Sequence, residues 1–292
     1  MNWISIVLFA ALFHAIANIF DKYIINHEVR DQYLGAFTFG LISFILFSSA
    51  SIIYGSFSLD PFVIISGIFS GIVYTLGAFL YYKTLQEEEV SRFIPILSFS
   101  AVFTMLLGAI ILKEEISTVH YIGAILVFSG IIVTALKHLN WDLFKKTSIY
   151  LALTAAFLYA IKNILTNVAS IENGVFGLTI WIGIGALISS IFLRIFHHHK
   201  LTEKIEKKGA HHLIIACLLN VIASLLYTIS LAIGPVSLVP FVHKTQIIFV
   251  FIFSVMLDMF KPEILEEQIS KNILYQKVSA IFLILFGSFL LI

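Results

Sequence analysis

The sequence holds one cysteine, Cys217, in 292 residues, so an internal disulfide and a cysteine-based metal cluster are both excluded. Charge is equally scarce: 12% of residues are Asp, Glu, Lys or Arg, against about 25% in a soluble domain. So few charges cannot coat a water-soluble globule of this size, and lipid must be the solvent for most of the chain. The sequence has no GxxxxGK[ST], which removes the P-loop mode of ATP binding and a primary pump built on it. It has no HExxH and no GxSxG, which removes zinc-protease and α/β-hydrolase chemistry. The opening "MNWISIVLFAALFHAIANIF" lacks the basic region of a signal peptide and any clear cleavage site, and reads as a retained first span. A net charge of +1 gives no reason to expect nucleic acid.

What the chain has is hydrocarbon. Hydrophobic residues make up 60%, and ten stretches reach the length of about 20 apolar residues that a span requires. They fall near 3–24, 33–54, 61–82, 93–112, 118–136, 147–169, 174–196, 210–232, 237–258 and 273–292. Backbone N–H and C=O groups in lipid must pair within their own segment, so each is expected to be a helix. The links are short and rich in turn formers, with two longer exceptions, "HHHKLTEKIEKKGAHH" and "KPEILEEQISKN".

The halves resemble each other. "ALFHAIANI" (11–19) matches "AFLYAIKNI" (156–164) at Ala11/Ala156, Ala15/Ala160, Ile16/Ile161, Asn18/Asn163 and Ile19/Ile164. "IGAILVFSG" (122–130) matches "VSAIFLILFG" (278–287), one residue longer. Five spans per copy is odd, so the second copy must enter the membrane from the opposite side. The expected fold is an all-α membrane protein of ten transmembrane helices in two inverted five-helix repeats, residues 1–137 and 147–292. Inverted repeats place a substrate site near midplane between the halves. Most Lys and Arg fall in or beside the odd-numbered links: Arg30; Lys83 and Arg92; Lys137, Lys145 and Lys146; Arg194, Lys200, Lys204, Lys207 and Lys208; Lys261, Lys271 and Lys277. Only Lys113 falls on the other face. Basic links stay cytoplasmic, which puts both termini on the non-cytoplasmic side of a cell (inner) membrane.

The stretch from 83 to 134, "KTLQEEEVSRFIPILSFSAVFTMLLGAIILKEEISTVHYIGAILVFSGIIVT", is similar to the drug/metabolite transporter superfamily, in its EamA-type ten-span branch. The shared features are Ser91 in the link into the fourth span, Pro95 early in it, and Glu114 or Glu115 just after it. Gly123-Ala124 and Gly130 follow in the fifth span. Ser237, Pro240, Ala280 and Gly287 echo these in the second half. Three features depart: "FHAIAN" stands where the family often has Trp-Gly, the acidic position after the ninth span is blurred into "LDMFKPE", and the Lys and Arg count puts both termini outside where family members usually have them cytoplasmic. The resemblance implies secondary transport of small organic solutes, often export, and no enzymatic activity.

Ionisable residues inside a span cost about 2.5–3.5 kcal/mol for a central lysine, and persist where they face a wet cavity or a partner. The first span carries His14, Asn18 and Asp21 or Lys22 on one helical face. The sixth carries Tyr159, Lys162, Asn163 and Thr166, again one face. The ninth carries His243, Lys244 and Gln246, and the eighth Asn220 and Tyr227. Lys162 and Lys244 each fall roughly 6 Å from their span centres, at similar height if the spans run oppositely. Two ammonium groups at one level favour an anion or the carboxylate of a zwitterion such as an amino acid. The expected substrate-binding set is Lys162, Lys244, His243, Asn18, Asn163, Gln246, Asn220 and Tyr227. His14 is the candidate for proton coupling, because an unperturbed histidine titrates near 6.5.

Blander roles stand beside these. Either lysine can snorkel, His14 can be a hydrogen-bonded packing residue, and the asparagines can bridge helices. Tyr74, Phe79, Tyr81 and Trp181 read as packing before pocket lining. The histidines at 197–199 and 211–212 match no zinc spacing and read as part of a solvated basic loop beside anionic lipid; no metal or cofactor is expected. Partners are a small-molecule substrate and the bilayer. Two rivals remain. A cation or drug exporter would need an acid at midplane, whereas Asp21 reads as lying near a helix end. A membrane-embedded enzyme or lipid-handling accessory protein would rest on the histidine-rich link.

Overall fold

The computed structural model describes residues 2–29, 31–87, 96–135, 147–196, 207–260 and 271–292. Outside the described residues lie Arg30, Glu88, Glu89, Ser91, Arg92, Pro95, Lys137, Lys145, Lys146, the histidines at 197–199, Lys200, Lys204 and Lys261; the side chains of Lys271 and Lys277 are not described either.

The described chain is all helix and link, with no strand. In order the elements are α1 (Trp3–His27), α2 (Gln32–Ile53), α3 (Pro61–Glu87), α4 (Phe99–Leu107) and α5 (Thr118–Ala135). Then come α6 (Thr147–Ile171), α7 (Gly174–Phe196), α8 (Lys207–Ile233), α9 (Val239–His243), α10 (Gln246–Phe260) and α11 (Lys271–Leu290). α6 and α7 run on from one another through Gly174, whose φ of 68° takes the chain out of helical geometry where the sequence placed the "IENG" link. Six of these helices, α1, α2, α3, α6, α7 and α8, are long and apolar enough to cross a membrane, and the apolar stretches 99–112, 118–133, 239–253 and 278–290 are shorter. Large apolar side chains are exposed along many of them, among them Phe9, Ile45, Ile65, Ile110, Ile125, Phe157, Ile188 and Phe282. Helices that are apolar on their outer face as well as their inner one suit a lipid solvent. The chain is a multi-pass membrane protein.

Two spans depart from the continuous helices expected. The fourth ends in a π-helical turn, Gly108–Leu112, closed by Lys113 in the left-handed region (φ 53°). The ninth, expected as one helix over 237–258, is broken into α9 and α10 at Lys244 and Thr245. Around the break the ladder tightens: Lys244 N–H donates to Phe241 O (2.9 Å), Thr245 N–H to Val242 O (3.1 Å) and Ile247 N–H to Lys244 O (3.0 Å). These three-residue bonds keep the amides paired, which a helix in lipid requires. Pro240 sits in the first turn of α9, where its missing N–H costs no ladder bond.

Helix packing follows the small residues. α3 and α7 meet at Gly71 and Gly185, where the facing backbone stands too close for any side chain, and at Gly67, which lies against Trp181 Cβ. α5 and α11 meet where Gly123 lies against Gly287 and Gly130 against Ala280, so these helices run antiparallel. Two buried apolar clusters fill the interior: one joins α1, α2, α3, α6, α7 and α8, the other α1, α4, α5, α6, α8, α9 and α11.

Glu114 ties distant segments together. Its Oε1 accepts from Val236 N–H (2.9 Å) and its Oε2 from Ser237 N–H (3.0 Å), across the link into α9. The structure thus selects Glu114 over Glu115 as the acid that follows the fourth span. Glu114→Ala is expected to destabilise the fold by about 2 kcal/mol, since two charge-assisted bonds to backbone amides are lost from a half-buried position. Thermal loss of the monodisperse peak in size-exclusion chromatography checks this, with Glu115→Ala close to wild type.

Candidate functional site

α1, α2, α3, α4, α6, α8, α9 and α10 line an open chamber of about 840 Å³, counting the space open to solvent, whose walls are more apolar than polar. All nine residues singled out in the sequence line it: His14, Asn18, Lys162, Asn163, Asn220, Tyr227, His243, Lys244 and Gln246. The reason is local geometry. His14 and Asn18 are four apart on α1, Lys162 shares a face with Tyr159 on α6, and Tyr227 stands about one turn beyond Ser224 and about two turns beyond Asn220 on α8.

The lysines are buried, Lys162 with 2% of its surface exposed and Lys244 with 6%. Lys162 Nζ donates to Thr228 Oγ1 at 2.8 Å and lies over the rings of Tyr227 (5.3 Å) and Tyr74 (5.6 Å). Aromatic faces are one of the few neutral surfaces that hold a buried ammonium favourably. Lys244 Nζ stands 3.5 Å from Ser100 Oγ, a long contact. Among the described residues neither lysine is ion-paired with a carboxylate.

The histidines form a second group. His14 Nδ1 and His243 Nε2 are 2.9 Å apart, so one ring donates and the other accepts; His14 Nε2 is 3.1 Å from Ser224 Oγ. The rings meet edge to face with centroids 4.9 Å apart, and Tyr227 packs on His243 at 4.7 Å. Asn163 Nδ2 donates to Thr104 Oγ1 (3.0 Å) and to Tyr227 Oη (3.1 Å).

Sequence reasoning misplaced Asp21. Asp21 is not at a helix end: α1 runs on to His27, and α3 and α8 cover the carboxyl until 1% of the residue is exposed. Asn220 Nδ2 donates to Asp21 Oδ2 at 2.8 Å and Tyr81 Oη donates to the same oxygen at 3.2 Å. Of the four aromatic residues considered, Tyr74 and Tyr81 line the chamber. Phe79 packs on Tyr33, and Trp181 donates its indole N–H to Ser58 O at 2.8 Å. Ser100, Ser224, Phe39 and Tyr82 also line it; of these only Ser224 carried a signal, standing four residues past Asn220 on one face. His212, read as part of a solvated loop, instead bonds Glu28 of α1, with Nδ1 at 2.7 and 2.9 Å from the carboxylate oxygens.

The whole fold has a precedent. A solved crystal structure, 15% identical, superposes with a TM-score of 0.72 over 99% of this chain and 96% of its own. Residues 1–136 match the EamA-like transporter family. The EamA-like match bears out the resemblance drawn from residues 83–134. An uncharacterized protein of Methanocaldococcus jannaschii is 25% identical over 133 residues, which cover 45% of this chain and 94% of that protein. A relative of that length corresponds to one half of this chain. The EamA-like half contributes His14, Asn18, Tyr74, Tyr81 and Ser100 to the chamber, and the remainder contributes both lysines.

Proposed function

We propose that this chain is a secondary active transporter that moves a small polar metabolite by alternating access between two inverted five-helix halves. The substrate is an organic anion or a zwitterion such as an amino acid. The observation that carries this is the pair of buried lysines, Lys162 and Lys244, facing one chamber with no ion-paired carboxylate among the described residues. An uncompensated ammonium is costly to bury, so a chamber holding two is built for a negative group that comes and goes. Asn18, Asn163, Asn220, Tyr227, His243 and Gln246 supply hydrogen bonds to the rest of the solute. His14 carries the coupling proton in this reading, passing it along its contact with His243.

Two observations support the inverted repeat. Asn18 and Asn163, and His14 and Tyr159, occupy matched places in the two copies of the sequence motif, and all four line the same chamber. The α5–α11 contact pairs Gly123 with Gly287 and Gly130 with Ala280. A two-fold axis between the copies exchanges one of these pairs for the other, as an isologous contact requires.

A thermal-shift screen of purified protein against amino acids, sugar phosphates and polyamines tests the charge selectivity. Anions or zwitterions should raise the melting temperature and polyamines should not. Stabilisation by polyamines alone would sink the lysine-centred reading and favour the cation exporter, for which buried Asp21 would be the counter-charge.

A further inference from the structure

Among the described residues, Asp21 is a buried carboxyl group in an interior whose other buried charged side chains are lysines. It is 1% exposed, and its Oδ1 has no hydrogen-bond partner among the described residues. Its Oδ2 receives both available donors, Asn220 Nδ2 at 2.8 Å and Tyr81 Oη at 3.2 Å. Among the described residues no lysine, arginine or histidine is ion-paired with it. Among the described residues, the titratable groups facing it from other helices include Tyr81 and Tyr82 of α3, Tyr159 of α6 and Cys217 of α8, all neutral in their ordinary forms. On its own helix Lys22 follows it in the chain, about 100° further round. An ionised carboxylate in this setting would bear the full desolvation penalty against two neutral donors.

Two ligands relieve such a carboxylate, a proton or a metal cation. A hard metal cation wants a shell of oxygens. Here both neighbours aim hydrogen at Asp21 instead, and a cation would meet N–H and O–H dipoles of the wrong sense. A proton on Oδ1 leaves both donor bonds on Oδ2 intact.

We propose that Asp21 is a proton-binding site behind the wall of the chamber, separate from the lysine and histidine cluster. Seven residues separate it from His14, roughly 10 Å along α1. Its links to the chamber are Tyr81 and Asn220, which touch Asp21 and line the cavity. Tyr81 also lies 3.4 Å from Asn18 Oδ1, so its hydroxyl has a second acceptor to turn to. On release, the O–H bond of Asp21 breaks and the proton passes to a water of the chamber, leaving a carboxylate held by Asn220 and Tyr81. The site follows from burial and bonding alone and stands whether or not the lysines bind an anion.

Infrared spectroscopy of the protein in liposomes tests it without any substrate. At neutral pH the difference between wild type and Asp21→Asn should contain a carboxylic acid C=O band, lost in the variant. A pair of carboxylate bands in its place would overturn the proposal. Should Asp21→Asn fail to fold, Tyr81→Phe and Asn220→Leu serve instead. Each removes one donor to the carbonyl oxygen, so each should shift the acid band, and a band unmoved in both would overturn the assignment. Exchange of sodium for choline should leave the spectrum unchanged; carboxylate bands that move with sodium would place a metal cation there and refute a proton site.

Discussion

Gly185→Ala should cripple assembly of the bundle. A Cβ at Gly185 would sit 2.0 Å from the carbonyl oxygen of Ile68, and one at Gly71 would sit 2.1 Å from that of Ile182. In each case the obstacle is backbone on the facing helix, which no rotamer change can move. α3 and α7 would have to part along their length, and the side chains buried between them, Leu178 and Ile182 among them, would lose their contacts. In lipid, close packing is the main force holding helices together, since no water is released by their contact. The expected loss is at or above the top of the roughly 1–3 kcal/mol seen for overpacked cores. Gly177 gives the control on the same helix: its Cβ would meet nothing closer than 3.5 Å. Gly177→Ala should be neutral or stabilising by roughly 0.5–1 kcal/mol, the helix propensity gained. Thermal unfolding in detergent separates the two. A Gly185→Ala protein as stable as the Gly177→Ala protein would show that the helices do not approach this closely.

The second large effect belongs to the lysines. For any anion or zwitterion that stabilises the wild-type protein, Lys162→Met and Lys244→Met should each weaken binding at least tenfold, and the double variant a hundredfold or more. Bonds to charged partners contribute about 1.5–3 kcal/mol each, and a factor of ten is about 1.4 kcal/mol. Without ligand the same variants should be as stable as wild type or more so, because a buried ammonium with no ion-pair partner among the described residues has been replaced by an apolar chain of similar length. Opposite signs for affinity and stability distinguish a binding lysine from a structural one. Isothermal titration with the best ligand of the screen, beside melting curves of the free proteins, measures both. Unchanged affinity in both single variants would remove the lysines from the site.

The chamber was largely legible in the sequence because polar residues in apolar helices stand out and helical spacing says which share a face. Lys162 and Asn163 announce themselves inside "LYAIKNILT", as do His243 and Lys244 inside "VPFVHKTQIIF". What periodicity cannot supply is cover. Asp21 read as terminal because the apolar run thins after Phe20, yet α1 continues and α3 and α8 close over the carboxyl. Ser100 and Tyr82 escaped notice because serine and tyrosine are common in this chain, and only the packing of neighbours decides which of them meet the cavity. The distortions in the fourth and ninth spans were only partly legible. Pro240 near the start of "VPFVHKTQ" allows a loosened ninth span, and Gly108 opens the π turn "GAIIL", but neither residue says where the ladder changes.

That break has a mechanical consequence. Lys244 is the residue on which α9 stops, and α10 resumes two positions later. Its ammonium therefore hangs from the junction of two helices and not from a continuous rod. A tilt of α10 against α9 would swing this charge, and a solute holding the charge would resist the tilt.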